Sequence, residues 1–136
     1  MKLELSKVES PFVMELVNET GNICVLDANP SIGGLNKGFR PMELLAGSLA
    51  GCASIDVLLI LRKQRIEPEH YKVKIGTTRK EGVPAPFDSI HLTFEFDESV
   101  DEDRARKAID MSLEKYCSVS ASLSKDIEIT YDVMVV

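Results

Sequence analysis

The sequence lacks any Cys-X-X-Cys pair and contains only two histidines in its 136 residues. A structural zinc site needs four Cys or His ligands at short spacings, so Cys24, Cys52 and Cys117 do not indicate one. His70 and His91 stand in no metal-ligand motif, and we interpret both as residues of strand edges. We therefore expect neither a bound metal nor a cofactor.

An excess of basic residues is also missing. The formal net charge is −6, which argues against a nucleic-acid or anionic-membrane surface, since both attract basic patches. The N-terminus alternates instead of presenting an uninterrupted apolar run, so we expect no secretory signal peptide. Three cysteines in such a chain are typical of reduced thiols. The expected location is therefore cytoplasmic, with no membrane or nucleic-acid partner.

No internal repeat and no linker divides the chain. The hydrophobic share of 44% and the charged share of 28% are ordinary for a globular protein. The glycine-rich loop 29–39 matches neither phosphate-binding spacing. We predict a single domain spanning residues 1–136.

The longest feature is a helix predicted over residues 40–65. Pro41 suits the first helical position, and no later proline interrupts the run. Between residues 44 and 61 the only ionisable groups are Cys52 and Asp56, so nearly every face is apolar or small. A membrane span needs about 20 predominantly apolar residues and this run is shorter, with Asp56 inside it. The pattern therefore favours a core helix that must be covered on all sides.

The other segments predict six strands and two further helices. Alternating apolar residues place strands near residues 1–8, 12–16, 23–26, 71–77, 90–96 and 127–135. Helical patterns cover residues 101–116 and 118–123, with Ser118 as the cap of the second. The short connections predict that the first three strands form an antiparallel meander. This order predicts an α+β fold in which antiparallel β-sheets pack around the long central helix.

The other elements of a 136-residue chain, of which only one is a helix of several turns, cannot easily cover a helix that is apolar on all sides. A second copy of the chain is the simplest remedy, and we predict an obligate homodimer. The long helices would pack together through small residues that keep the middle of the helix thin, namely Gly47, Ala50, Gly51 and Ser54.

Two of the thiols invite a chemical interpretation. Cys117 precedes the predicted short helix, whose N-terminal dipole can lower a thiol pKa. Cys52 lies in mid-helix, where Asp56 one turn on disfavours its thiolate. Along a straight helix, Glu43 and Arg40 would lie about 13 and 18 Å from Cys52, so an activating cation must come from elsewhere, such as a partner subunit. The alternative is a scaffold with inert buried thiols, since a buried cysteine often acts only as a small hydrophobe.

Both cysteine segments resemble a known family. RPMELLAGSLAGCASIDVLLIL is similar to the first-cysteine helix of OsmC/Ohr proteins, and EKYCSVSASL is similar to their second-cysteine segment. The resemblance implies an OsmC-like, intertwined homodimer with composite active sites. It also implies that Cys52 reacts with a hydroperoxide, that Cys117 resolves the product as a disulfide, and that a dithiol, such as a lipoylated protein, reduces it.

The sequence departs from the peroxidase branches at two places. Their catalytic carboxylate stands ten residues before the first cysteine, where this chain has Met42, and Glu43 follows one position later. Residues 1–39 contain no arginine, which leaves Arg40 as the only one ahead of the helix. Our candidate catalytic residues are therefore Cys52, Cys117, Arg40 and Glu43, with Arg40 stabilising the thiolate and Glu43 orienting Arg40.

The leading hypothesis is a thiol-dependent peroxidase. Its expected apolar surroundings favour an organic hydroperoxide over hydrogen peroxide, and they comprise Leu45, Leu49, Ile55, Leu58 and Phe87. The alternative is a non-catalytic dimer of the same fold that binds an apolar ligand or senses redox state, suggested by Asp56 beside Cys52 and by Met42 in place of the acid.

Overall fold

The computed structural model describes residues 1–136. They group into two compact units, Met1–Leu45 and Ala46–Val136. The chain forms two three-stranded sheets, one in each unit, and a long helix, so the predicted α+β class is confirmed. The single domain expected over residues 1–136 stays a prediction.

The first unit contains the predicted meander. Strands β1 (Leu3–Glu9), β2 (Val13–Asn18) and β3 (Ile23–Leu26) pair antiparallel in that order. The Asn18 side-chain oxygen accepts the backbone N–H of Asn22 at 2.9 Å and fixes the turn between β2 and β3.

A buried carboxylate organises the loop that leaves this sheet. Asp27 accepts backbone N–H groups of Ala28, Leu35 and Lys37 at 2.7, 2.8 and 3.2 Å. Burial raises the pKa of Asp27, but these donors together outweigh it, so the pKa is lowered overall. The loop backbone itself wraps the carboxylate. Asp27 thereby fixes the backbone conformation of the loop up to Lys37, just before the long helix.

Helix α1 spans Pro41–Lys63 and begins at the predicted proline. It ends two residues before the expected limit, because Arg65 adopts a positive φ of 62°. One face is fully buried at intervals of four residues, through Leu49, Ala53, Val57 and Leu61. The opposite face leaves Ile55, Leu58 and Leu59 exposed, and Leu45 in the first turns of the helix is exposed as well. The covering expected on all sides is therefore not provided within one chain.

By length and composition, α1 is also able to cross a membrane. Its mean hydropathy is 2.1, and 33% of its most apolar window is buried. A core helix has the same properties, so this finding is weak evidence for a span.

The second unit contains the sheet formed by β4 (Tyr71–Arg79), β5 (Phe87–Phe96) and β6 (Glu128–Val135). Central strand β5 pairs antiparallel with β4, in agreement with the antiparallel sheets predicted. The expectation of antiparallel sheets is wrong for β6, which pairs parallel with β5. The intervening helices provide the long crossover that a parallel pair needs.

That crossover differs in detail from its prediction. Helix α2 covers Glu102–Met111, and Ser112–Tyr116 form a π turn instead of continuing the helix. The short helix α3 covers Ser118–Ser122. Its cap is Cys117 and not Ser118, since the Cys117 sulfur accepts the Ser120 N–H at 3.3 Å. The second thiol is therefore a structural part of a helix terminus.

The loop organised by Asp27 generates a test of stability. A Cβ at Gly34 would overlap the Ala28 carbonyl group, and neither backbone segment can give way freely. Gly34→Ala should lower the free energy of unfolding by about 2 kcal/mol, measured by urea denaturation. Gly76→Ala is the matched control, because a Cβ there meets nothing within 4 Å. Equal stability of the two variants would contradict the close contact between Gly34 and the Ala28 carbonyl group.

Candidate functional site

The structure brings together the two thiols predicted to react. Cys52 lies in the middle of α1 and is half-buried, whereas Cys117 is buried with 3% of its surface exposed. The Cys52 thiol is a hydrogen-bonding and electrostatic neighbour of the Cys117 thiol. Both cysteines are free in this structure. Two sulfurs distant in sequence therefore meet within a single chain.

The Cys117 sulfur is held by its own backbone and by the next helix. The backbone N–H of Cys117 donates to the Ser112 carbonyl at 2.7 Å, and this hydrogen bond closes the π turn. Its sulfur accepts the Ser120 N–H as the cap of α3. Backbone donors at a helix N-terminus favour a thiolate, as the sequence suggested for this residue.

Burial nevertheless has the larger effect on Cys117. Desolvation, together with the hydrogen bond and charge of Cys52, raises the pKa of Cys117 to about 11. The N–H groups of Ser120 and Val119 act in the opposite direction. Cys117 is therefore a neutral thiol at pH 7, and the expected helix-dipole effect is present without being decisive.

Asp56 does not stand free beside Cys52. The Ser112 hydroxyl donates to the Asp56 carboxylate at 2.8 Å, and Ser112 is completely buried. Helix α1 is thereby joined to the π turn that leads to Cys117. In the sequence, Ser112 was only one residue of the helix predicted over residues 101–116. A serine among buried apolar positions, five residues before a cysteine, is the one signal that could have drawn attention to it.

Arg40 and Glu43 form a pair at the start of α1. The Arg40 guanidinium donates from Nη1 to Glu43 Oε1 at 3.0 Å. Glu43 Oε2 also accepts the Arg40 backbone N–H at 3.2 Å, which is one half of a capping box. Arg40 Nε is buried without a hydrogen-bond partner. Glu43 therefore binds the Arg40 guanidinium through Nη1 and leaves its buried Nε donor without a partner, and the catalytic roles of the two residues stay predictions.

A buried hydroxyl missed by sequence reasoning is that of Tyr71 on β4. It lies near Ser54, which is two residues along α1 from Cys52. Burial raises the pKa of Tyr71 to about 12, and the nearby Ser54 hydroxyl opposes that shift. The Tyr71 oxygen still makes no hydrogen bond of ordinary length and angle. The Tyr71 ring packs edge-on against Phe96, with centroids 5.2 Å apart. Tyr71 therefore supplies a neutral, weakly engaged hydroxyl near the Cys52 turn of α1.

The expected apolar surroundings divide into two groups. Leu49 and Phe87 are core residues, at 0% and 3% exposure. Ile55 and Leu58 instead line an open groove of about 320 Å³. Its other lining residues are Leu59, Arg62, Ile66, Glu67 and Pro68. The groove wall on α1 is apolar, with charged groups at one end.

The remaining candidate ligands are scattered. Cys24 lies in β3 opposite Leu16 of β2 and is half-buried. Nowhere do three His, Cys, Asp or Glu side chains converge in a way that could hold a metal ion.

Comparison with known proteins gives a consistent result. A family model described as OsmC-like protein matches residues 34–132. Protein YhfA of Escherichia coli strain K12 is 36% identical over 118 residues, covering 86% of this chain and 85% of its own. A hypothetical protein of Aquifex aeolicus VF5 has a TM-score of 0.79 at 30% identity, covering 97% of this chain and 94% of its own.

A more distant structure shares the fold alone. The organic hydroperoxide resistance protein OsmC of Legionella pneumophila has a TM-score of 0.72 at 15% identity, covering 99% of this chain and 98% of its own. The family match itself includes Cys52, Cys117, Arg40 and Glu43. The two cysteine segments, the sheets that accompany them and the extent of this match lead to one conclusion: the chain belongs to the OsmC-like protein family.

Proposed function

We propose that this protein is a thiol-dependent peroxidase that reduces organic hydroperoxides in the cytoplasm. The observation that carries the proposal is the contact between the Cys52 and Cys117 thiols. Membership of the OsmC-like family supports a redox role. A protein of the same fold bears the name organic hydroperoxide resistance protein, which agrees with that substrate class.

The proposed cycle begins at Cys52. Its thiolate attacks the terminal oxygen of the hydroperoxide, the O–O bond breaks, and the alkoxide takes a proton and leaves as an alcohol. Cys52 is then a sulfenic acid. The Cys117 sulfur attacks the Cys52 sulfur, a disulfide forms, and the hydroxyl leaves with the Cys117 proton as water. A dithiol supplies two electrons and two protons to restore both thiols.

Burial supports this division of roles. Cys52 is the more accessible sulfur, so it can meet a substrate from solvent. Cys117 remains protonated at neutral pH and reacts slowly until a sulfenic acid forms against it. The leaving hydroxide then removes its proton, so no separate base is needed at that step.

A homodimer would complete the site in this proposal. Cys52 needs a cation, and Arg40 has a buried Nε donor without a partner while Glu43 holds its Nη1. We propose that Arg40 of a second copy supplies this charge. The exposed apolar face of α1 supports such a contact, because Ile55, Leu58 and Leu59 would be covered by the same second copy. Ala50, one of the small residues expected at the two-fold axis, is already buried within the chain.

Peroxide treatment tests the reaction directly. One equivalent of cumene hydroperoxide, added to the reduced protein, should remove two free thiols and form a Cys52–Cys117 disulfide, detected by alkylation and mass spectrometry. Cys52→Ser should abolish thiol loss at Cys117, and Cys117→Ser should leave a sulfenic acid at Cys52. Cys24→Ser is the control and should behave as the unmodified protein. Survival of both thiols would instead support the non-catalytic binding dimer.

The pH dependence of Cys117 gives an independent test. Because its pKa is about 11, its alkylation rate should rise about tenfold per pH unit from neutral pH up to that value. Cys52→Ala removes the hydrogen bond and the charge that raise this pKa, so it should fall. Burial, the largest single cause that raises the pKa, remains in this variant. The rate is measured by mass spectrometry of the Cys117 peptide, and a transition near pH 7 would contradict the proposed roles.

Light scattering after size-exclusion chromatography tests the dimer. Ile55→Glu should convert the protein to a folded monomer. Ile55 is 63% exposed in one chain, so the new carboxylate is tolerated there, but it would be buried between two chains. Val83→Glu, at a fully exposed loop position, should leave the dimer intact. A dimer unaffected by Ile55→Glu, or a protein that is monomeric from the start, would contradict the proposed interface.

A further inference from the structure

Ser112 makes one hydrogen bond to a residue near Cys52 and another to Cys117 itself. Its hydroxyl donates to Asp56, one helical turn beyond Cys52 on α1. Its carbonyl accepts the N–H of Cys117. Each thiol is thereby connected to one fully buried residue through a single hydrogen bond and a short stretch of chain.

The backbone between Ser112 and Cys117 departs from regular α-helix. Residues Ser112–Tyr116 form a π turn, whose i to i+5 hydrogen bond is the short one between Ser112 and Cys117. A π turn is less regular than an α-helix and commonly lies at a functional site. A second contact, from the Ser120 hydroxyl to the Leu113 carbonyl, is long at 3.5 Å. That contact joins the π turn to α3, whereas the hydrogen bond from Ser112 to Asp56 anchors it to α1.

The charge of Asp56 alone does not explain this arrangement. An isolated carboxylate one turn from Cys52 would only disfavour its thiolate. Here the carboxylate accepts from a buried hydroxyl, and a hydrogen bond to a charged group is stronger than a neutral one. The pair is therefore suited to holding two segments at a set separation.

We propose that Ser112 and Asp56 form a clamp that positions Cys117 against Cys52 and so sets how readily the two thiols join. Ser112 and Asp56 are positioning residues in this proposal, since neither touches the substrate. The proposal rests on the function proposed above. When the clamp is lost, the π turn can shift relative to α1, and the effective concentration of one thiol toward the other falls.

A thiol–disulfide equilibrium tests the clamp without any peroxide. The full-length protein is equilibrated with mixtures of reduced and oxidised dithiothreitol, free thiols are trapped by alkylation, and the Cys52–Cys117 disulfide is quantified by mass. Ser112→Ala and Asp56→Ala should each lower the equilibrium constant for the disulfide about tenfold, since each removes a charge-assisted hydrogen bond. The double variant should be no worse than either single variant, because both changes break one contact.

Two matched variants separate positioning from charge and from general structural damage. Asp56→Asn keeps an oxygen that accepts from Ser112 but removes the charge, so the hydrogen bond becomes a weaker, neutral one. Its equilibrium constant should therefore lie between that of the unmodified protein and that of Asp56→Ala, about threefold below the former. Ser122→Ala removes another serine hydroxyl of the same region, which donates to the Ser118 carbonyl at 2.8 Å, and should have no effect. Far-ultraviolet circular dichroism confirms that each variant is folded.

The outcomes distinguish this proposal from the one on which it rests. An equilibrium constant unchanged in both alanine variants overturns the clamp alone. A loss in Asp56→Asn equal to that in Asp56→Ala also overturns it, because charge would then be the cause. A clamp effect with dithiothreitol, combined with survival of both thiols in cumene hydroperoxide, overturns the peroxidase alone. Absence of the disulfide under every dithiothreitol ratio overturns both.

Discussion

The burial of the Cys117 sulfur against the half-buried Cys52 is the constraint on which the proposed chemistry depends. It requires the segment after α2 to turn back onto α1 and to stay there. The turn is made by the π hydrogen bond between Ser112 and Cys117, and the attachment is made by the Ser112 hydroxyl on Asp56. A regular helix through Tyr116 would have placed residue 117 at another angle around the helix axis.

Burial lowers the reactivity of Cys117 in two ways. It protects the sulfur from external oxidants, and it raises the pKa so that the thiol is neutral at physiological pH. A resolving thiol can tolerate the second property, because its target forms in contact with it and supplies the base. A thiol that reacts first cannot. The environments of the two cysteines thus differ in the direction that a sequential reaction requires.

Sequence patterns predicted the elements better than the contacts between them. Pro41 and the uninterrupted apolar run located α1, and the motifs around Cys52 and Cys117 indicated that these two thiols belong together. The direction of β6 was not predictable, because alternation is the same in parallel and antiparallel strands. The π turn was hidden because the apolar pattern of α2 continues through it. Ser118 was predicted as the cap of α3 in place of Cys117, because serine is a more common capping residue than cysteine.

The structure also changes what a second subunit needs to provide. The sequence predicted that the two sulfurs meet in a pocket that a pair of subunits completes. They meet within one chain, through hydrogen bonds that all belong to the second compact unit, and completion of the pocket by a second chain stays a prediction. What a single chain leaves incomplete is the cover on α1, where Ile55, Leu58 and Leu59 remain exposed. Disulfide formation and dimer formation are therefore separable, and the proposed dimer bears on activation of Cys52 and on access of an apolar substrate, not on the pairing of the sulfurs.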